Sequence, residues 1–204
     1  TTPAVDFASY HQFAVGLATG TSTHLLYVTV PLQEIGYPLF LGGVYSLLGA
    51  TAAVGRAVNV LLAFWLLVVV RRLLAPQGEV VTRTGLMLVS LWPAHIAMSS
   101  LLASENLFLP MLWSGALLTS SSTFVGGAML GAAQAVRPVA LMMMVVIGAS
   151  HRRDWLKVGA VLVGAGLTFG AYRLVRVAAG DRAERGGVAY SLLMGTNRGS
   201  AGAW

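Results

Sequence analysis

The apolar stretch from about 52 to 70, closed by Arg71-Arg72, limits what this chain can fold into more than any other feature. An apolar run of about 17–25 residues is long enough to cross a bilayer as a helix. In lipid, backbone polar groups must be satisfied inside the segment itself, so such runs fold as helices rather than as irregular chain. Further runs follow at about 85–103, 107–120, 124–149 and 155–177. Hydrophobic residues make up 56% of the 204-residue chain and charged residues 10%. A soluble domain carries about a quarter charged residues, so a soluble globular fold is excluded. The expected fold class is all-α: a polytopic transmembrane helical bundle of about six membrane helices, with interfacial helices in a first external loop. Residues 1–51 read as that external or interfacial loop, 52–177 as the bundle, and 178–204 as the start of a later external loop.

A formal net charge of +6 would suggest nucleic acid in a soluble protein. Here the cations cluster in short loops between apolar runs, which the positive-inside bias explains, so no nucleic-acid partner is expected. Arg71, Arg72 and Arg83 flank one such loop, and Arg152, Arg153 and Lys157 flank another. Both are read as cytoplasmic. Arg137-Pro138 divides 124–149, because proline lacks a backbone donor and restricts the residue before it. Two short helices meeting at Arg137, each crossing once, keep both basic loops on one side. Asp6, Glu34, Arg56, Glu105, Arg137 and the tail then share the opposite, external face. With no cysteine there is neither a disulfide framework nor a thiolate metal site. The chain opens on Thr-Thr-Pro with no signal-like start, and reads as an internal piece of something longer.

Residues 4–19 mix Val5, Phe7, Tyr10, Phe13 and Leu17 with Asp6, Ser9, His11 and Gln12, which suits an interfacial helix ended by Gly20. Pro38 to Leu48 is a second short apolar stretch closed by Gly49. A polar loop is expected over 73–84. Gly127/Gly131 and Gly166/Gly170 have the small-xxx-small spacing of close helix contacts. Met142, Met143 and Met144 read as lipid-facing or core filler.

Ionisable groups at membrane boundaries are costly and usually face a cavity with a task. Asp6 has two readings, a helix N-cap or a general base on the external face. Ser104 is read as capping the next helix, with Glu105 either favoured by the helix dipole in its first turn or forming a cavity wall. Arg137 stands alone in Gln134-Ala135-Val136-Arg137-Pro138, with no acidic residue within about fifteen positions. Its partner must come from elsewhere in space: Glu105, Asp6, backbone carbonyls or an anionic ligand, and guanidinium suits phosphate through bidentate bonds. Arg56 is either a second phosphate contact or a side chain reaching back to the interface. His95 reads as a packed histidine. His11 and His24 lack the helical spacing of a metal pair, so no metal site is assigned, and dependence on a divalent metal stays open.

The order of these pieces resembles the integral-membrane glycosyltransferases of the GT-C class, nearest the bacterial relatives of the protein O-mannosyltransferase and aminoarabinose transferase group. The residues that carry the likeness are Asp6-Phe7-Ala8-Ser9-Tyr10-His11, Gly36-Tyr37-Pro38-Leu39-Phe40-Leu41, Ser104-Glu105-Asn106-Leu107-Phe108, Val136-Arg137-Pro138 and Leu192-Leu193-Met194-Gly195-Thr196-Asn197. Ile35 stands where the family has proline before Gly-Tyr-Pro, and Val136 where it has threonine before Arg-Pro. The family's first transmembrane helix, later helices and C-terminal domain have no counterpart here.

The resemblance implies transfer of a sugar from a polyprenyl-phosphate donor to an external acceptor with inversion, on the periplasmic face of a bacterial plasma membrane. The acceptor would be a cell-envelope glycan, lipid or protein. Asp6 would be the catalytic base, and Glu105 would orient the acceptor or Arg137. Arg137 and Arg56 would bind the donor phosphate, and Tyr10, His11, Glu34, Tyr37 and Asn106 would line the acceptor pocket. Two other readings compete. One is a non-catalytic membrane subunit, a truncated module of this type packing in a larger complex. The other is a transporter, which would show related inverted halves; no such repeat is evident.

Overall fold

A computed structural model describes residues 5–21, 35–150 and 154–178, with backbone alone at 5–7, 148 and 175–178. Within these residues the regular structure is entirely helical. The helices are α1 (Val5–Thr19), α2 (Gly36–Leu48), α3 (Ala52–Leu74), α4 (Glu79–Leu91), α5 (Pro93–Ser100), α6 (Glu105–Leu118), α7 (Thr123–Val136), α8 (Ala140–Ser150) and α9 (Trp155–Ala178). Thr51 caps α3 by accepting from the Val54 amide at 3.3 Å, and Arg71 and Arg72 sit in its last turn. Gly20 and Gly49 leave their helices at φ 67° and 96°, a region that glycine enters without a Cβ penalty.

Two stretches are long and apolar enough to cross a membrane, Ala52–Gln77 and Trp155–Leu174. A third is added if α5 and α6, bent by 120° at their break, count as one broken span. Helices α2 and α7 are apolar but shorter. Length and composition among the described residues thus qualify two or three spans, where about six membrane helices were expected.

The breaks follow proline and glycine. The polar loop expected over 73–84 is mostly helical: α3 continues to Leu74, a single 3-10 turn covers Ala75–Gln77, and α4 starts at Glu79. An exposed Glu79–Arg83 pair, 2.7 Å apart one helical turn from each other, supports that start. The run expected as one span over 85–103 is split, because Pro93 disfavours helix at Trp92, which is extended at φ −64°, ψ 116°. Arg137 is likewise extended before Pro138, so α7 and α8 are separate short helices, as the sequence implied.

The core lies where α2, α3, α6 and α7 meet. It is built from Tyr37, Leu41, Tyr45, Leu62, Leu107, Phe108 and Leu130. Helix α7 packs most closely on α9. Any side chain at Gly127 would strike the Val161 backbone, and one at Gly131 would strike Ala165 and Thr168. The facing glycine on α9 is Gly164, against Phe124 and Ala128. The other expected pair, Gly166 and Gly170, faces open space. Spacing alone does not say which side of a helix meets its neighbour. Of the three methionines, Met144 is buried in the core and Met142 is exposed.

Candidate functional site

Two helix breaks face each other, and the expected ion pair forms between them. Glu105 lies in the first turn of α6, and Arg137 is the residue that ends α7. The Arg137 Nη2 to Glu105 Oε1 distance is 2.9 Å. Each charge sits at the helix end where the peptide dipoles favour it, the carboxylate at an N-terminus and the guanidinium at a C-terminus. Neither is sealed: the side chains are 42% exposed for Arg137 and 30% for Glu105. The Arg137 amide donates to the Ala133 carbonyl at 2.9 Å, which fixes the backbone from which the guanidinium extends.

Ser104 does not cap α6 through its side chain. Its backbone is already helical at φ −62°, ψ −23°, whereas a capping serine is typically extended so that its oxygen can reach the free amides. Its hydroxyl instead donates weakly to Glu105 Oε2, at 3.4 Å.

The reversal between α5 and α6 is held by two asparagines. Asn106 Nδ2 donates to the Met98 carbonyl at 2.8 Å and to the Leu101 carbonyl at 3.0 Å. Asn59 Nδ2, from the middle of α3, donates to the same Leu101 carbonyl at 2.6 Å. The Met98 carbonyl already accepts from the Leu101 amide at 3.1 Å and gains Asn106 as a second donor, whereas the Leu101 carbonyl beyond the end of α5 is satisfied by the two asparagines. Asn59 is fully buried, and its Oδ1 accepts from the Tyr37 hydroxyl at 3.1 Å. Burial pushes the Tyr37 phenol above its ordinary pKa, which keeps the donating proton in place. Asn59 is not ionisable, so the rule that singles out charged groups in apolar spans passes over it. A lone amide within an apolar span was the available signal.

Helix α1 reaches this network through its aromatic side chains. The Tyr10 ring meets Tyr37 edge-on at 5.5 Å, and His11 Nδ1 lies 2.8 Å from the Tyr45 hydroxyl. Asp6 precedes Tyr10 by one turn and so shares its helical face. Because α1 starts at Val5, Asp6 falls inside the first turn rather than before it. Its side chain lies outside the described residues, as do Glu34, His24 and the 192–197 segment. Gly36 brings α2 onto the end of α7, where a Cβ would meet the Ala135 carbonyl and the Val136 nitrogen. Tyr10, His11 and Tyr37 therefore come to the same quarter of the protein as Asn106, Glu105 and Arg137. Arg56 does not join them. It follows Gly55, whose inward face packs on Leu102 and Tyr45, and is itself exposed.

Glu105 also borders a pocket of about 440 Å³ between α3, α4, α5 and α6. Its walls are apolar, among them Leu66, Val89, Met98, Leu109 and Trp113, and its polar members are His95, Glu105 and Asn106. Among the described residues no three His, Asp or Glu side chains are grouped to hold a metal ion. No protein-family model, no curated protein and no solved structure matches this chain.

Proposed function

We propose that this chain is the catalytic module of a membrane glycosyltransferase that moves a sugar from a polyprenyl-phosphate donor to an acceptor on the external face of a bacterial plasma membrane. The observation that carries the reading is the half-exposed Arg137 guanidinium, held by Glu105 at the meeting of two helix breaks. Helices α4 to α8 then complete a bundle of about six membrane helices around that point.

In the proposed reaction an acceptor hydroxyl gives its proton to the Asp6 carboxylate, and its oxygen attacks the anomeric carbon of the sugar. The bond from that carbon to the phosphate oxygen breaks, and the electron pair leaves with the polyprenyl phosphate. Attack opposite the leaving group inverts the anomeric centre. The leaving group is a stable anion, so it needs positive charge more than it needs an acid. Arg137 supplies that charge, and Glu105 aims the guanidinium. Helices α1 and α2 hold Asp6 near the site through the contact between Tyr10 and Tyr37.

The same ion pair favours a second reading, a non-catalytic membrane subunit, because Glu105 already neutralises Arg137. Transfer separates the two. With the full-length protein in membranes and a radiolabelled polyprenyl-phosphate sugar, Asp6→Asn abolishes label transfer while the protein stays folded. Normal transfer by that variant rejects Asp6 as the base, and absence of transfer by the wild type rejects the catalytic reading. A partner that stays bound through purification, together with indifference to changes at Asp6 and Arg137, supports the subunit.

A further inference from the structure

The pocket beside Glu105 is lined from α3, α4, α5 and α6, and its lining includes neither Arg137 nor a residue of α7. Its volume of about 440 Å³ and its apolar walls with a few convergent polar groups match a small-molecule site. Its α3 wall is the C-terminal half of that helix, Leu66 and Val70. The α5–α6 reversal sits at the level of Asn59, which bonds Leu101, whereas the walls include Leu66 and Val70. At the rise of an α-helix, those residues lie about 10–16 Å farther along α3. Leu66 and Val70 belong to the Ala52–Gln77 stretch that is apolar enough to span a membrane. Two of its lining residues reach the surface, Trp92 at 62% and Trp113 at 39% exposure.

The polar end is acidic. Arg137 occupies Glu105 Oε1, while among the described residues Oε2 has the long 3.4 Å contact from Ser104. A carboxylate offers about four lone-pair positions, so Oε2 can accept a further hydrogen bond. A hydroxyl donor satisfies it, whereas an ionised phosphate presents only acceptor oxygens.

Resting on the transferase reading, we infer that this pocket holds the hydrocarbon chain of a lipid acceptor with at least two hydroxyls, one of which donates to Glu105 Oε2 while the other, the attacking one, gives its proton to Asp6 and the donor phosphate meets Arg137. The acceptor class is then a hydroxylated lipid rather than a peptide or a free glycan. Glu105 touches both the non-attacking acceptor hydroxyl and the cation that receives the donor.

Photolabelling of the full-length protein in nanodiscs tests this without requiring transfer. Two probes share one diazirine-bearing sixteen-carbon chain, one ending in a hydroxyl and the other in a phosphate. The alcohol labels peptides containing Val89, Met98 and Leu109 in a saturable manner, and unlabelled hexadecanol competes. Ala94→Trp at the rim and Val89→Trp in the wall each lower that labelling about tenfold, the effect of losing roughly two buried methylenes, while labelling of α9 is unchanged. Two separate walls are used so that one poorly folded variant does not decide the matter. Labelling spread evenly over the exposed apolar surface and unmoved by either tryptophan overturns the proposal. Preferential pocket labelling by the phosphate probe also overturns it and assigns the pocket to the donor chain. Saturable alcohol labelling in a wild-type protein that transfers no sugar would reject the transferase reading while leaving the lipid site standing.

Discussion

Asn59 donates to the Leu101 carbonyl across 2.6 Å, so the middle of α3 holds the reversal that sets Glu105 facing Arg137. Asn59→Leu removes that donor and also the acceptor of the Tyr37 hydroxyl. The Leu101 carbonyl keeps Asn106, but the buried Tyr37 hydroxyl loses its acceptor, so the variant should be destabilised by about 1–3 kcal/mol. Unfolding in mixed SDS micelles measures this, and sugar transfer should fall with it as Glu105 shifts.

The ion pair itself should matter little for folding. With both side chains part-exposed, its contribution is about 0–1 kcal/mol. Arg137→Gln should therefore unfold close to wild type, while its transfer rate drops about 10²–10³-fold, the usual effect of removing one group aimed at developing charge. Parallel unfolding and turnover measurements check the separation. A large stability loss with modest loss of turnover would give Arg137 a structural role.

Glycine positions on α7 and α9 should respond oppositely to substitution. Gly131→Leu drives a side chain into Ala165 and Thr168, so α7 and α9 must part at a cost of about 1–3 kcal/mol or more. Gly166→Ala and Gly170→Ala enter open space and gain helix propensity of up to about 1 kcal/mol each. Thermal unfolding of the three purified variants distinguishes them.

Acid should weaken the start of α9. Asp154 Oδ1 accepts from the Lys157 amide at 3.2 Å, and Oδ2 lies 3.2 Å from Lys157 Nζ. The Lys157 backbone bond, followed by its side chain, holds the Asp154 carboxyl below its usual pKa. A carboxyl with a lowered folded-state pKa adds stability above its unfolded value, and that stability is lost as pH falls through the folded one. The difference in unfolding midpoint between wild type and Asp154→Ala should be full near neutral pH and shrink on acidification. A difference that is constant with pH would show that the contacts around Asp154 carry none of it.

The helical class, the break at Arg137-Pro138 and Arg137's need for a partner were legible because each follows from a local rule, whereas the choice of Glu105 among four candidate partners came only with the structure. Apolar length demands helix, proline restricts its predecessor, and a lone cation among apolar residues needs an anion. What escaped depended on three dimensions. Asn59 looks like a blemish in an apolar run until the free Leu101 carbonyl is set beside it. Gly164 rather than Gly166 or Gly170 meets α7, because the spacing fixes a stripe but not its direction. The split of 85–103 was signalled by Pro93, which was not weighed against the apolar run around it. A cavity wall is one of the two readings the sequence allows for Glu105, but the pocket's other walls come from four helices and are not visible in sequence order.

Affinity for farnesyl phosphate, a short polyprenyl phosphate, tests the central claim most directly. It would be titrated into the full-length protein in nanodiscs, with farnesol as the uncharged control. If Arg137 receives the donor phosphate, wild type binds farnesyl phosphate, Arg137→Gln weakens it about tenfold or more, and farnesol does not distinguish the two proteins. Equal affinity of wild type and Arg137→Gln for farnesyl phosphate would contradict the account.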